Sequence, residues 1–245
     1  MEFTYKAYND LLNCLEKNNY IFADYYSWKN KEKVVIVRHD VDYDIDKAVE
    51  LAKLEYGRGI RATYFVLLTS DLYNVLSEKN RNNIIEIFKF GHSIGLHFDE
   101  KNYPNLVGDT SRVKEKIKEE LSILSKILQI PISAVSYHRP SKKIIESNLY
   151  IENVVNSYGN TFFHDFKYIS DSRRNWREPV EEIIASNSYE KLHILTHPFW
   201  YMDEEKTLKE TVRDFISLGT EKRFELMKNN FTDLETVITL KECRR

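Results

Sequence analysis

Nine residues constrain the fold of this chain most: Val34-Val35-Ile36-Val37-Arg38-His39-Asp40-Val41-Asp42. A run of β-branched residues with no polar interruption is the pattern of a strand buried on both faces, as in a parallel sheet covered by helices. Charged and titratable residues follow it at once. On an extended chain Asp40 and Asp42 point to the same side. The strand ends of parallel α/β sheets are where such proteins build their sites. The competing role for this acid cluster is to cap the next helix, a position that Asp favours, because Tyr43-Asp44-Ile45-Asp46 leads into a helical pattern.

The rest of the chain alternates in the same sense. Strand-like stretches fall at 34–38, 62–68, 93–96, 134–137 and 192–196, with weaker ones near 161–163 and 168–169. Helical periodicity runs through 45–56, 82–90, 111–128 and 208–227, with apolar residues three or four apart. This alternation predicts an α/β fold with parallel strands, a barrel or a doubly wound sheet. Residues 1–30 read as a helical lead-in and 31–245 as a single domain; 141–171 is the least regular part, expected to form a wall over a cleft.

Composition excludes several classes. A net charge of −2 over 245 residues gives no basic footprint for nucleic acid. No stretch approaches the roughly 18 apolar residues of a membrane span. The first residues lack the apolar core of a signal peptide, so a cytoplasmic location is expected. Cys14 and Cys243 lie near opposite ends and form neither a metal motif nor an expected disulfide. The sequence sets no oligomeric state.

The histidines carry the chemistry. Of seven, four stand at or just past strand ends: His39, His97, His138 and His197. In a parallel sheet those ends share one rim. Imidazoles gathered there with Asp40 and Asp42 fit a divalent metal, zinc first among them. Three protein ligands leave a position for water, which an unligated carboxylate can deprotonate while a histidine opposite protonates the leaving group. Such parts suit hydrolysis of an amide or ester.

In order along the chain, Arg38-His39-Asp40-Val41-Asp42, Ala62-Thr63-Tyr64-Phe65-Val66, Gly91-His92-Ser93-Ile94-Gly95-Leu96-His97, Tyr137-His138-Arg139-Pro140, Asp171-Ser172-Arg173-Arg174-Asn175-Trp176 and Ile194-Leu195-Thr196-His197-Pro198 resemble the motifs of the NodB-type polysaccharide deacetylases, carbohydrate esterase family four. His-Asp-Val-Asp, Gly-Leu-His-Phe-Asp and His-Pro-Phe-Trp look most like its WbmS-like branch, linked to bacterial surface polysaccharides. The resemblance implies a distorted (β/α) barrel of the NodB type and metal-dependent deacetylation. It implies Asp40 as base, Asp42 and His97 as metal ligands, and His197 as general acid. Lys101 falls where the family has its second ligand histidine. His138 is the expected replacement, aligned with the third-motif arginine, and Asp99 is its competitor. Arg139, Asp99, Asp171, Trp176 and Trp200 are candidates for substrate contact, with packing as the other role for the tryptophans and a surface charge or carboxylate partner for Arg139.

The expected function is removal of an acetyl or other acyl group from an N- or O-acylated sugar or glycan precursor during surface-polysaccharide biosynthesis. A deformylase or metal-free cyclic amidohydrolase of the same fold is one alternative. A non-catalytic glycan-binding protein with a degenerate site is another.

Overall fold

The computed structural model describes residues 1–244. Its core is a sheet of eight parallel strands: β1 (Ile21–Ala23), β2 (Val34–Val41), β3 (Thr63–Val66), β4 (Ser93–Phe98), β5 (Ala134–Tyr137), β6 (Val155–Asn156), β7 (Lys167–Ser170) and β8 (Lys191–Thr196). Seven of them run in the order β6-β5-β4-β3-β2-β8-β7, with β1 beside β2. β1 and β3 share one edge of β2. The first three residues of β2 pair with β1 and Arg38–Val41 pair with β3, while β8 takes the other edge. Among the described residues β6 and β7 are not paired with each other, so this is an α/β barrel left open between its end strands, the distorted barrel expected from the sequence.

Helices α1 (Tyr5–Lys17), α2 (Ile45–Tyr56), α3 (Glu78–Lys89), α4 (Thr110–Leu128), α5 (Lys142–Glu146) and α6 (Val180–Ala185) alternate with the strands. They and the sheet form one compact unit through Asp203. A second unit begins at Glu204 and holds α7 (Leu208–Lys228), α8 (Leu234–Val237) and α9 (Leu240–Cys243).

β2 is the axis of the fold, and every one of its eight residues is buried. Burying each aliphatic side chain of Val34–Val37 contributes about 1.5–3 kcal/mol. The strand runs on through the acidic segment to Val41, farther than its apolar run predicts. Its even-numbered residues face the interior, where Val34 and Ile36 pack with Phe65, Ala134, Phe162 and Phe166. Its odd-numbered residues face the helices. There His39 bonds Glu55 of α2 at 2.9 Å, and Glu55 also accepts the hydroxyls of Tyr8 (2.5 Å) and Tyr64 (2.6 Å).

Three local expectations differ. Residues 161–163 do not form a strand: Thr161–Asp165 is a π-turn whose Phe162 joins the interior cluster. The turn packs against β7 and β8. β1 lies within the stretch read as a helical lead-in, too short for a period to show. β6 has two residues, again below the length at which alternation can be recognised.

Gly95 of β4 pairs with Phe65, whose ring covers it. A Cβ there would stand 2.4 Å from Phe65 Cδ1 and 3.2 Å from the Ala134 carbonyl oxygen. Gly95→Ala should destabilise the protein by about 1–3 kcal/mol, read as a lower midpoint in urea.

On α4, burial pushes the Glu120 carboxyl up to about 7, against the Tyr103 hydroxyl and Lys116, which pull it down. Between its ordinary value of 4.5 and about 7, the unfolded chain releases this proton and the folded one keeps it. Stability is therefore lost as pH rises through that window. Glu120→Gln should raise the melting temperature at pH 8 relative to the natural chain and leave it nearly unchanged at pH 4.

Candidate active site

The C-terminal ends of the parallel strands bring the predicted residues to one rim. Asp42 follows β2, His97 lies in β4, and His138 follows β5. The His138 N–H continues the ladder beyond β5 by donating to the Phe98 carbonyl at 2.9 Å. One imidazole nitrogen from each histidine faces the same carboxylate oxygen: His97 Nε2 lies 3.1 Å and His138 Nδ1 3.2 Å from Asp42 Oδ1. The three ligand atoms lie within 4.8 Å of one another.

That oxygen is the sign that the residues fit a cation. Asp42 Oδ1 is buried and makes no hydrogen bond, although buried carboxylate oxygens are normally satisfied. Its neighbours are nitrogens able to present lone pairs. His97 Nδ1 bonds the Ser136 hydroxyl at 2.6 Å, and that hydroxyl donates to Asp40 Oδ1 at 3.4 Å. With its one proton directed at Asp40, Ser136 accepts from His97 Nδ1–H, which leaves Nε2 bare toward Asp42. Two imidazoles and one carboxylate are a zinc-type donor set. With no ion held there, the imidazoles can bring charge to Asp42 instead: burial alone would push its carboxyl up, and His138 and His97 outweigh that and hold it well below the usual carboxylate range. For His138, burial opposes the charge and Asp42 more than offsets it, so its imidazole is raised.

Asp40 stands one pleat below. Its Oδ2 lies 3.7 Å from His97 Nε2 and 3.2 Å from Arg38 Nη2. Arg38 is wholly buried, with Nη1 on the Ser157 hydroxyl at 2.5 Å and its guanidinium 4.8 Å from the Tyr158 ring centre. On the far side of Asp42, His197 Nε2 is 3.8 Å from Oδ2. Its Nδ1 bonds Asp171 Oδ1 at 2.6 Å. Asp171 also accepts from the His197 backbone N–H (3.1 Å) and the Tyr201 hydroxyl (3.1 Å). Burial disfavours the imidazolium, but Asp171 prevails and raises His197 to about 9.

The helix-cap role falls to another acid: Asp44 accepts from Asp46 N–H at 2.9 Å and caps α2, which leaves Asp40 and Asp42 to the rim. Asp99 does not compete with His138 for the third ligand place. It is buried, takes Arg139 Nε at 3.0 Å together with Nη2, and accepts from Lys101 N–H at 3.1 Å. Asp171, a candidate for substrate contact, instead orients His197 and is wholly buried. Trp200 is also buried, packed 5.6 Å from the Tyr43 ring and 5.0 Å from Phe199, so it cannot offer a face to a sugar. Trp176 is half-buried with an unpartnered indole N–H, and among the described residues no hydrogen bond or ring contact joins it to the cluster. Arg139 keeps nearly half of its side chain exposed.

His39, His92 and His193 are buried structural groups. His39 joins Thr196 (2.7 Å) to Glu55, His92 joins Ala62 N–H (3.1 Å) to the Ala52 carbonyl (3.0 Å), and His193 pairs with the Tyr25 hydroxyl at 2.7 Å. Sequence reasoning missed Arg38, Ser136 and Ser157. Arg38 was within reach, since it stands two residues before Asp40 on the same face; the serines carry no signal before the fold brings them in.

No family model matches the chain, and no curated protein matches its sequence. Among solved structures it is similar to a CE4 esterase from Streptococcus mutans, at 14% identity over 86% of this chain and 90% of that one, with a TM-score of 0.49. A CE4 family pseudoenzyme from Bacillus anthracis matches at 12% identity and a TM-score of 0.46, over 79% of this chain. This chain spans only 62% of that protein. A family 4 acetyl xylan esterase from Clostridium thermocellum, solved in complex with a cobalt ion, matches at 15% identity over 78% of this chain and 85% of that one, with a TM-score of 0.42.

In the metal-free protein, an NMR titration should find His197 charged up to pH about 9. Asp171→Asn should move that midpoint down towards the ordinary histidine value, because the carboxylate charge is the main force holding the proton.

Proposed function

We propose that the chain is a metal-dependent hydrolase that removes an acyl group, acetyl first among them, from an N- or O-acylated sugar in surface-polysaccharide biosynthesis. One observation carries the reading: Asp42, His97 and His138 converge on one point, with Asp40 on one side and the His197–Asp171 pair on the other. A divalent cation, zinc or a similar ion, would be held by those three residues and supply Lewis-acid polarisation of the acyl carbonyl and a lowered pKa for water.

The protein's own groups then divide the proton work. Asp40, fixed by Arg38 and Ser136, takes a proton from the attacking water as its oxygen bonds the acyl carbon. His197 has Nδ1 committed to Asp171, so Nε2 is the atom that delivers a proton to the departing amine or alcohol. The C–N or C–O bond breaks, and the products are the free carboxylic acid and the deacylated sugar. Arg139, about half exposed and paired with Asp99, is the substrate contact in this reading.

The test combines metal analysis with substitution. The purified chain should bind one divalent ion. Asp42→Ala should abolish that binding. Asp40→Asn and His197→Gln should keep the ion and lose turnover of acetylated amino sugars by about 10²–10⁴-fold. Release of formate without acetate would redirect the reading to a deformylase. A natural chain that binds no divalent ion would overturn it, and one that binds the ion yet releases no acid from any acylated sugar would leave a glycan-binding protein.

A further inference from the structure

Val41 separates the two acids of the rim, and its carbonyl oxygen is held by a residue outside the motif. The Tyr73 hydroxyl, from the loop between β3 and α3, donates to Val41 C=O at 2.6 Å. The oxygen of that hydroxyl in turn accepts from Leu67 N–H at 2.8 Å. The two backbone groups belong to neighbouring strands. Val41 is the last paired residue of β2, opposite Val66, and Leu67 directly follows Val66 at the end of β3. The hydroxyl therefore sits between the two strand tips as a bridge.

That bridge acts on the metal ligand through covalent geometry. The Val41 carbonyl and the Asp42 Cα lie in one planar peptide unit, so fixing the oxygen fixes where Asp42 leaves the strand. A hydroxyl inserted between Leu67 N–H and Val41 C=O holds the tips farther apart than a direct bond would. The loop that delivers it is itself tied down. Ser70 Oγ accepts from the N–H groups of Leu72 (3.1 Å) and Tyr73 (3.3 Å), and Asn102 Nδ2 donates to Thr69 Oγ1 at 2.8 Å, linking it to the segment after β4.

We propose that Tyr73 is a positioning residue that sets Asp42 relative to Asp40, His97 and His138, and so sets the strength and geometry of metal binding. This rests on the metal-ligand assignment above. The experiment is a Co²⁺ titration of the full chain, following the visible d–d bands, in the natural protein, Tyr73→Phe and Tyr26→Phe. Tyr26 is the control: its hydroxyl also bonds a backbone carbonyl, that of Ser133 at 3.0 Å, just before β5 and so at the opposite end of the barrel.

Tyr73→Phe should weaken Co²⁺ binding by about tenfold or more and alter the band positions, while Tyr26→Phe changes neither. Equal affinity and equal spectra for Tyr73→Phe and the natural chain would overturn the proposal alone. Absence of Co²⁺ uptake by the natural chain would overturn the metal assignment, and this proposal with it. Should Tyr73→Phe not fold, Ser70→Ala serves instead: it loosens the loop and should weaken Co²⁺ binding in the same direction, and an unchanged affinity there would overturn the proposal.

Discussion

A buried ion pair, Arg38 with Asp40, organises the interior of this barrel. A guanidinium taken wholly out of water is tolerable only when its charge and its N–H groups find partners. Asp40 answers the charge, Ser157 takes a second N–H, and the Tyr158 ring lies against the cationic plane. These partners come from β2 and from the chain just beyond β6, so one charge draws distant parts of the sheet together. The same pair ends the apolar interior below and begins the polar rim above. Arg38 holds Asp40 from beneath through Oδ2.

The rim then works by assigning each nitrogen one duty. Ser136 takes Nδ1 of His97 and leaves Nε2 facing Asp42. Asp171 takes Nδ1 of His197 and leaves Nε2 facing the other Asp42 oxygen. Two histidines of like chemistry thus acquire different surroundings from their second partners: a neutral hydroxyl sits beside one, and a buried carboxylate favours the protonated form of the other. The outward face of β2 carries a separate network around Glu55. There burial would raise the carboxyl and His39 outweighs it, holding Glu55 below its ordinary value. The strand that bears the site is thereby anchored by polar bonds to α1 and α2.

The alternation of strand and helix was legible because strand and helix periods differ and the aliphatic stretches are long enough to show them. The rim residues Asp40, Asp42, His97, His138 and His197 were legible because each stands at or just past the end of such a stretch. β1, β6 and the π-turn at 161–165 were not, because two to five residues carry no readable period. The partners of the site residues were hidden for another reason. Asp171 lies 26 residues before His197, and Ser136 lies 39 residues after His97; a hydrogen bond over such separations leaves no local trace.

The sequence by itself determined the parallel α/β plan and which strands carry charge at their ends, since hydrophobic period and strand direction are properties of the chain. Only the tertiary structure decided which atoms meet. It chose His138 over Asp99 for Asp42, because Arg139 already occupies Asp99. It turned Asp171 and Trp200 inward and brought Tyr73 to the Val41 carbonyl. Those choices depend on strand register and loop path, which are fixed by the packing of the whole sheet and not by any one segment.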